Sequence, residues 1–280
     1  MQAHYSSLII MINCTFYSNF ASSTLFEIVD SNLNASNVYF IENINNLIDS
    51  SSSTLEFENI SIFNHECKTE SEGCIMLVSD NSSTKIKNSY LYNISTNNKN
   101  TILVLFSILE LNNVKFVNAT SKLRVGSCLS GIASNITVNN SIFNYFTGNA
   151  IFMEETFIVI ENTVINQNTK NSESIVKNKY GAFACLECED FKVENSFFSD
   201  NSNIREGSAI YLINNIIIPG KHSLKRIVNT SFLSNTAYQN GGALCLINQN
   251  LLINKCNFFY NYALQGGGIS CSLTGYLQYF

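Results

Sequence analysis

The 280-residue sequence contains no tryptophan, a single proline (Pro219) and little charge, with Asp, Glu, Lys and Arg together making up 13%. One proline excludes a proline-rich linker or stalk. So little charge excludes a helical array, whose exposed faces carry many Lys and Glu residues. An apolar share of 45% excludes a disordered chain. The 16 Lys and Arg are scattered and outnumbered by 21 Asp and Glu, so the basic footprint of a nucleic-acid binder is missing. Long hydrophobic runs are also missing. Thr101 to Leu111 and Ile213 to Ile218 fall well short of the ~20 residues that span a bilayer. The opening M-Q-A-H-Y-S-S-L-I-I-M-I-N-C has neither the basic region nor the small-residue cleavage site of a signal peptide.

What the sequence has in excess is asparagine, 42 residues, together with Ser, Ile and Phe. Asn and Ser compete with the helix backbone for hydrogen bonds, whereas Ile and Phe suit strands. The Asn residues are ordered. Taking Phe16, Phe40, Ile62, Leu91, Phe116, Phe143, Ile165, Phe198, Phe232 and Phe258 as anchors gives ten copies of one unit, 22 to 34 residues apart. Three positions before the anchor stand Asn13, Asn37, Asn59, Asn88, Asn113, Asn140, Asn162, Asn195 and Asn229, and only Lys255 breaks the series.

Five before the anchor the residue is apolar in every copy, from Met11 to Ile253, and seven before it is mostly so. Apolar residues two apart make a strand with one buried face. Each unit therefore reads as a strand, an Asn corner and a short strand carrying the anchor. Many copies then have a further Asn: Asn19, Asn43, Asn168, Asn201, Asn235 or Asn261. A Gly-small-apolar run follows in the later copies, as in Gly241-Gly242-Ala243-Leu244, where Gly serves a tight corner. Such a unit cannot bury its apolar face alone, and stacking on its neighbours does so at about 4.8 Å per coil. The expected fold is all-β, a right-handed parallel β-helix of about ten coils forming one domain over 1–280. Its coils are degenerate over 1–110 and better preserved over 111–280. In register, the nine Asn residues are expected to form a structural ladder of amides running up the column. Neither end reads as a solenoid cap, so a fragment of a longer chain is expected.

The pair F-x-x-N and G-G-[small]-[Ile/Leu], at Phe232-Asn235 with Gly241 to Leu244 and at Phe258-Asn261 with Gly266 to Ile269, resembles the polymorphic outer membrane protein repeat. The resemblance implies the β-helix shared with pectin lyases, a surface or extracellular location, and adhesion. It is best from Phe198 onward, partial near Phe116 and Phe143, and weak before that. The membrane-embedded C-terminal barrel of that family has no counterpart in this sequence. A leucine-rich repeat is the structural rival, suggested by Leu109 to Phe116. There the apolar residue should follow the Asn by two positions, not three.

Candidate chemistry is sparse. Cys67 and Cys74 bracket an acidic insertion and suit a local disulfide if the protein is extracellular. Cys185-Leu-Glu-Cys188 has metal spacing but no second Cys or His pair, so no metal and no cofactor is expected. Cys14 and Cys256 share one column, two before the anchor, and read as packed positions. Acidic residues cluster at Glu66, Glu70 and Glu72, at Glu154 and Glu155, and at Glu187, Glu189, Asp190 and Glu194. With His4, His65 and His222 unaccompanied by a repeated acid, these read as solvated charge, and no catalytic residue is expected. Among the N-x-[Ser/Thr] acceptors, glycosylation is expected at Asn34, Asn81, Asn93, Asn118, Asn135 or Asn139, sparing the ladder residues Asn13, Asn59 and Asn229.

The functional expectation is a non-enzymatic surface or secreted module whose lateral face binds glycans or other surface proteins. The insertions Cys67 to Glu72, Asn168 to Tyr180 and Ile213 to Leu224 are expected to carry specificity. The first alternative is a polysaccharide lyase or glycoside hydrolase on the same fold. The second is a binding protein of the leucine-rich type.

Overall fold

The structure is a computed structural model describing residues 2–3, 6–68, 73–96, 100–121, 127–169, 180–202, 204–214 and 225–272. Within them every element is a strand, and no helix is long and apolar enough to cross a membrane. His4, His222, Glu70, Glu72 and most of the three insertions lie outside the described residues.

The chain winds as a parallel β-helix with three strands per turn, which form three parallel sheets running the length of the rod. The first sheet carries the positions five and seven before the anchor, for example Leu8–Ile12 on Asn32–Ser36. The second carries the anchors, which are in register at every step: Phe16 on Phe40, Ile62, Leu91, Phe116, Phe143, Ile165, Phe198, Phe232 and Phe258. The third follows the Gly corner, with Phe26, Ile48, Met76, Ile102, Leu129, Ile151, Phe183, Ile210, Leu244 and Ile269 aligned. Ten rungs make nine steps, a rod of roughly 43 Å at the usual strand spacing. Three strands per turn exclude the leucine-rich alternative, and the first four rungs, whose sequence is least regular, stack like the rest.

The interior is a set of apolar columns. Phe198 and Phe232 stack with ring centroids 5.3 Å apart, and Phe232 and Phe258 at 4.8 Å. Each fully buried Phe contributes about 2–3 kcal/mol of transfer free energy.

All three corners turn through the left-handed region. The first corner, three before the anchor, has φ of 48–55° in all ten rungs, including Lys255 at 52°. The second, two after the anchor, is likewise left-handed in all ten, from Ser18 to Tyr260. The third joins the last sheet to the first through Ser6, Asp30, Ser52, Asp80, Phe106, Ala133, Glu155, Glu187 and Asn248. Asn reaches this conformation more cheaply than other side chains, whose Cβ is penalised by ~1–2 kcal/mol, and that accounts for the Asn column.

Beside many of the corners a polar side chain satisfies the backbone the bend frees. At the third corner Ser7, Ser31, Ser53, Ser82, Ser107 and Ser134 form a serine ladder, each Oγ from Ser31 onward accepting the amide N–H of the serine one rung below at 3.1–3.3 Å. Behind the first corner, Ser141, Thr163, Ser196 and Thr230 do the same. Cys14 and Cys256 occupy that last column, their thiols donating to Ile12 O and Asn254 O as the hydroxyls do elsewhere.

Candidate functional site: the outer face of the second sheet

Residues flanking each anchor point outward. On the first four rungs these are Thr15 and Tyr17, Tyr39 and Ile41, Ser61 and Phe63, and Tyr90 and Tyr92, all in register. They make an aromatic ribbon in which Tyr17, Tyr39 and Tyr92 are exposed and Phe63 and Tyr90 half-buried. Phe63 meets Tyr90 edge to face at 5.8 Å, and Tyr90 lies 6.0 Å from Tyr92 at 15°. On the fifth to seventh rungs the same columns read Lys115 and Val117, Ile142 and Asn144, then Val164 and Asn166, so the ribbon is interrupted there, and single rings return at Phe197 and at the exposed Phe259. Exposed rings gathered on one face mark a surface for contact.

A row of amides borders the ribbon on one side, and from the third rung a second row borders it on the other. On one side is the first corner, exposed at Asn13, Asn37, Asn59, Asn88 and Asn113. Here Asn59 donates to Asn37 and Asn37 to Asn13, both at 3.1 Å, and Asn113 donates to Asn88 at 2.9 Å. Asn229 donates to Asn195 at 2.7 Å. The row is not one ladder: Asn88 turns to Glu58, Asn140 to Asn112 and Asn162 to Asn139. On the other side, at the second corner, Asn118 donates to Asn93 at 3.1 Å and Asn93 to Asn64 at 2.8 Å. One N–H per amide orients the row while its remaining donor and acceptor lone pairs face solvent. Asn93 and Asn118, expected as free glycan acceptors, therefore belong to a bonded row. Asn34, Asn81 and Asn135 are exposed, and Asn139 is half-buried.

The continuous part of an amide ladder lies deeper, three after the anchor. Asn168 donates to Asn201 at 2.6 Å, Asn201 to Asn235 at 2.8 Å and Asn235 to Asn261 at 2.9 Å. Asn19 donates to Asn43 likewise. Asn201, Asn235 and Asn261 also donate to the anchor carbonyls Ile165, Phe198 and Phe232. In the sequence these residues read only as a further Asn after the anchor, and the ladder is expected at the exposed column instead. Burial separates the two, and a bare Asn count cannot.

The outer face of the first sheet is polar and charged. Near its start a groove of about 260 Å³ is lined by Asn34, Ser36, Glu56, Glu58, Lys85 and Lys87, with Ile10 and Ile12 at its edge. Lys85 also lies 3.5 Å from Glu110. Further along, Lys192 bonds Glu161 and lies 3.2 Å from Glu194, which in turn meets Arg226 at 3.0 Å. The bond to Glu161 raises the Lys192 pKa above the usual amine value. Of the clustered acids, Glu66 pairs with Lys68 at 3.3 Å, and Glu155 and Glu187 are third-corner residues.

Cys67 and Cys74 are joined as a disulfide, as are Cys185 and Cys188. His65, unaccompanied in the sequence, packs against the first of these. The ribbon itself also escaped the sequence reading, although the columns one before and one after the anchor would have shown it.

No family model matches the sequence, and no curated protein matches it. Among solved structures, the Dettilon tailspike protein is similar over 95% of this chain and 60% of its own length, with 11% identity and a TM-score of 0.35. The catalytic domain of a GH87 alpha-1,3-glucanase in complex with nigerose matches over 97% of this chain and 62% of its own, with 12% identity and a TM-score of 0.32. PfbA, a surface adhesin of Streptococcus pneumoniae, matches over 94% and 79%, with 10% identity and a TM-score of 0.29. The chain thus spans about 60% of the tailspike and of the glucanase domain. The expectation of a non-enzyme does not stand, because the fold also carries glucanase catalytic domains and so does not separate binding from catalysis. The strand pairing itself shows the fold, a parallel β-helix, and the tailspike, adhesin and glucanase domains are what this chain is similar to.

Proposed function

We propose that the protein engages glycans along its lateral face, at a surface or extracellular location, through the aromatic ribbon of the second sheet. One observation carries this reading: rings stand on four successive rungs, exposed at Tyr17, Tyr39 and Tyr92, beside a row of oriented carboxamides at the first corner, and from the third rung a second row, Asn64 and Asn93, closes the other side. Sugar rings present C–H faces that pack on aromatic planes and hydroxyls that pair with amides, and the ribbon offers both at the rung spacing. The resemblance of the repeat to polymorphic outer membrane proteins, with their adhesive role, agrees with it. The test is binding of neutral and acidic oligosaccharides by titration calorimetry, with Tyr39→Ala and Tyr92→Ala. Both side chains are exposed, so folding should be unaffected while each loss weakens binding by about tenfold, roughly 1.4 kcal/mol. Absence of binding across the panel, or binding indifferent to both substitutions, would overturn the proposal.

A second reading rests on the first-sheet groove, where Glu56 and Glu58 stand against Lys85 and Lys87 on the next rung. Two carboxylates flanking one bond are what glycoside hydrolysis requires. Reducing-sugar release from a polysaccharide panel that is abolished by Glu56→Gln or Glu58→Gln supports it. Release that survives both substitutions removes the groove from consideration.

A further inference from the structure

His65, Cys67 and Cys74 lie on the third rung, where the second sheet gives way to the third, and all three are buried at 0–1% exposure. Cys67 ends the strand Ser61–Cys67 and Cys74 begins inside Gly73–Ser79. A ring nitrogen of His65 and the two sulfurs lie within 4.8 Å of one another, with His65 Nε2 at 3.6 Å from Cys67 Sγ. His65 Nε2 also lies 2.6 Å from the Asn45 carbonyl, to which it donates. That leaves Nδ1, deep in the rod, without a hydrogen-bond partner. His65 stands three after its anchor, in the column where the two rungs below carry Asn19 and Asn43, so an imidazole beside two sulfurs takes the place of a ladder amide there.

We propose that the reduced form of this cluster is a three-donor metal site, Cys2His, for a borderline or soft d10 cation such as Zn²⁺, and that formation of the disulfide closes it. A tetrahedral zinc with Zn–S near 2.3 Å and Zn–N near 2.0–2.1 Å places its donors about 3.5–3.8 Å apart. The imidazole is at that distance already, and the sulfurs reach it when their bond is broken. Ligation through Nε2, the nitrogen at that distance, requires it to give up its proton and its bond to the Asn45 carbonyl, and Nδ1 then carries the N–H, as the second nitrogen does in most ligating histidines. The backbone frame does not depend on the disulfide. Thr96 pairs with Cys67, and Met76 beyond Cys74 pairs with both Ile48 and Ile102. The chemistry balances: a dithiol or phosphine reductant supplies two electrons, two protons give two thiols, and binding Zn²⁺ releases both protons as the thiolates form.

The test uses the full chain, reduced with a phosphine that is then removed, and Co²⁺ as an optical probe for Zn²⁺. One equivalent should produce thiolate-to-cobalt charge transfer and tetrahedral d–d absorption, and Zn²⁺ should abolish both. The oxidised protein should give neither. His65→Gln, whose amide can still donate to Asn45, should weaken binding at least tenfold and shift the d–d bands. Cys74→Ser should abolish the charge transfer, and Cys185→Ser should leave it unchanged. Bands that survive Cys74→Ser but vanish with Cys185→Ser would assign the metal to the other cysteine pair and overturn the proposal. So would the absence of bands in wild type, or loss of the β spectrum on reduction.

Discussion

At the scale of the residue, asparagine does two jobs in this protein, and substitution separates them. At the exposed first corner Asn229 has φ of 48°, and its single amide bond is to Asn195. Asn229→Gly should change stability by only a few tenths of a kcal/mol, whereas Asn229→Ala should cost ~1–2 kcal/mol. At the buried ladder the order reverses in kind. Asn235→Ala strips the partner from Asn201 N and Nδ2 and from Phe198 O, and should cost about 3 kcal/mol or more. Urea unfolding of the three variants checks both. Position was legible in the sequence here, because the Asn column is regular. The reason was not, because backbone conformation and burial both favour Asn and leave the same letter. A second residue prediction concerns Lys225, whose burial lowers its pKa to about 8 despite the partial offset from Asp190. The folded state then loses its proton near pH 8 and the unfolded state near 10.5. Between those values the unfolded chain binds more protons, so stability rises with pH. Below pH 8 the buried charge is a steady cost. Relative to Lys225→Met, wild type should gain on the order of 2–3 kcal/mol from pH 8 to 10.5, and a flat difference would show that the amine is solvated.

At the scale of the element, corners rather than strands fix the course of the chain. The strands vary from two residues, in Gln2–Ala3, to the unbroken fourteen of Ser83–Thr96, which runs straight through the Asn88 corner. Alternating burial made these strands readable, and the anchors named from sequence pair in register throughout. The serine ladder was missed for a physical reason. It lies nine positions before the anchor, outside the apolar pattern, and Ser is common enough that only the stacked backbone shows Ser31, Ser53 and Ser82 to be one object. Glycine corners can be tested against an internal control. Gly241 has φ of 63°, and a Cβ there would sit 2.0 Å from Leu244 O. At Gly268 no left-handed φ is required, and the nearest atoms are 3.9 Å away. Gly241→Ala should therefore cost at least about 2 kcal/mol and Gly268→Ala should be close to neutral. Equal thermal shifts in the two variants would mean that the corner is not what Gly241 serves.

At the scale of the whole molecule, each rung touches only the rungs above and below it, so damage should travel a short way along the rod. Phe232 packs between Phe198 and Phe258, and replacing it with Ala should cost about 3–5 kcal/mol. The aromatic ribbon occupies rungs one to four, at least five rungs away, roughly 24 Å at the strand spacing. A globular core would spread that loss over all its parts through a single cooperative transition. In a stack of nearest-neighbour interfaces the loss is confined to the rungs that share the altered contact. Phe232→Ala should thus raise amide hydrogen exchange from rung eight to rung ten, including Phe197–Ser199 and Asn257–Phe259, while Tyr39–Ile41 and Ser61–Cys67 keep wild-type protection. The same variant should retain glycan affinity within about twofold, because the ribbon and its amide rows are untouched. Phe40→Ala, which removes the ring stacked on Phe16, should do the reverse and spare the far end. If either substitution erases protection uniformly along the chain, the rod folds as one cooperative unit. Its lateral site would then depend on every rung and not only on the four that display it.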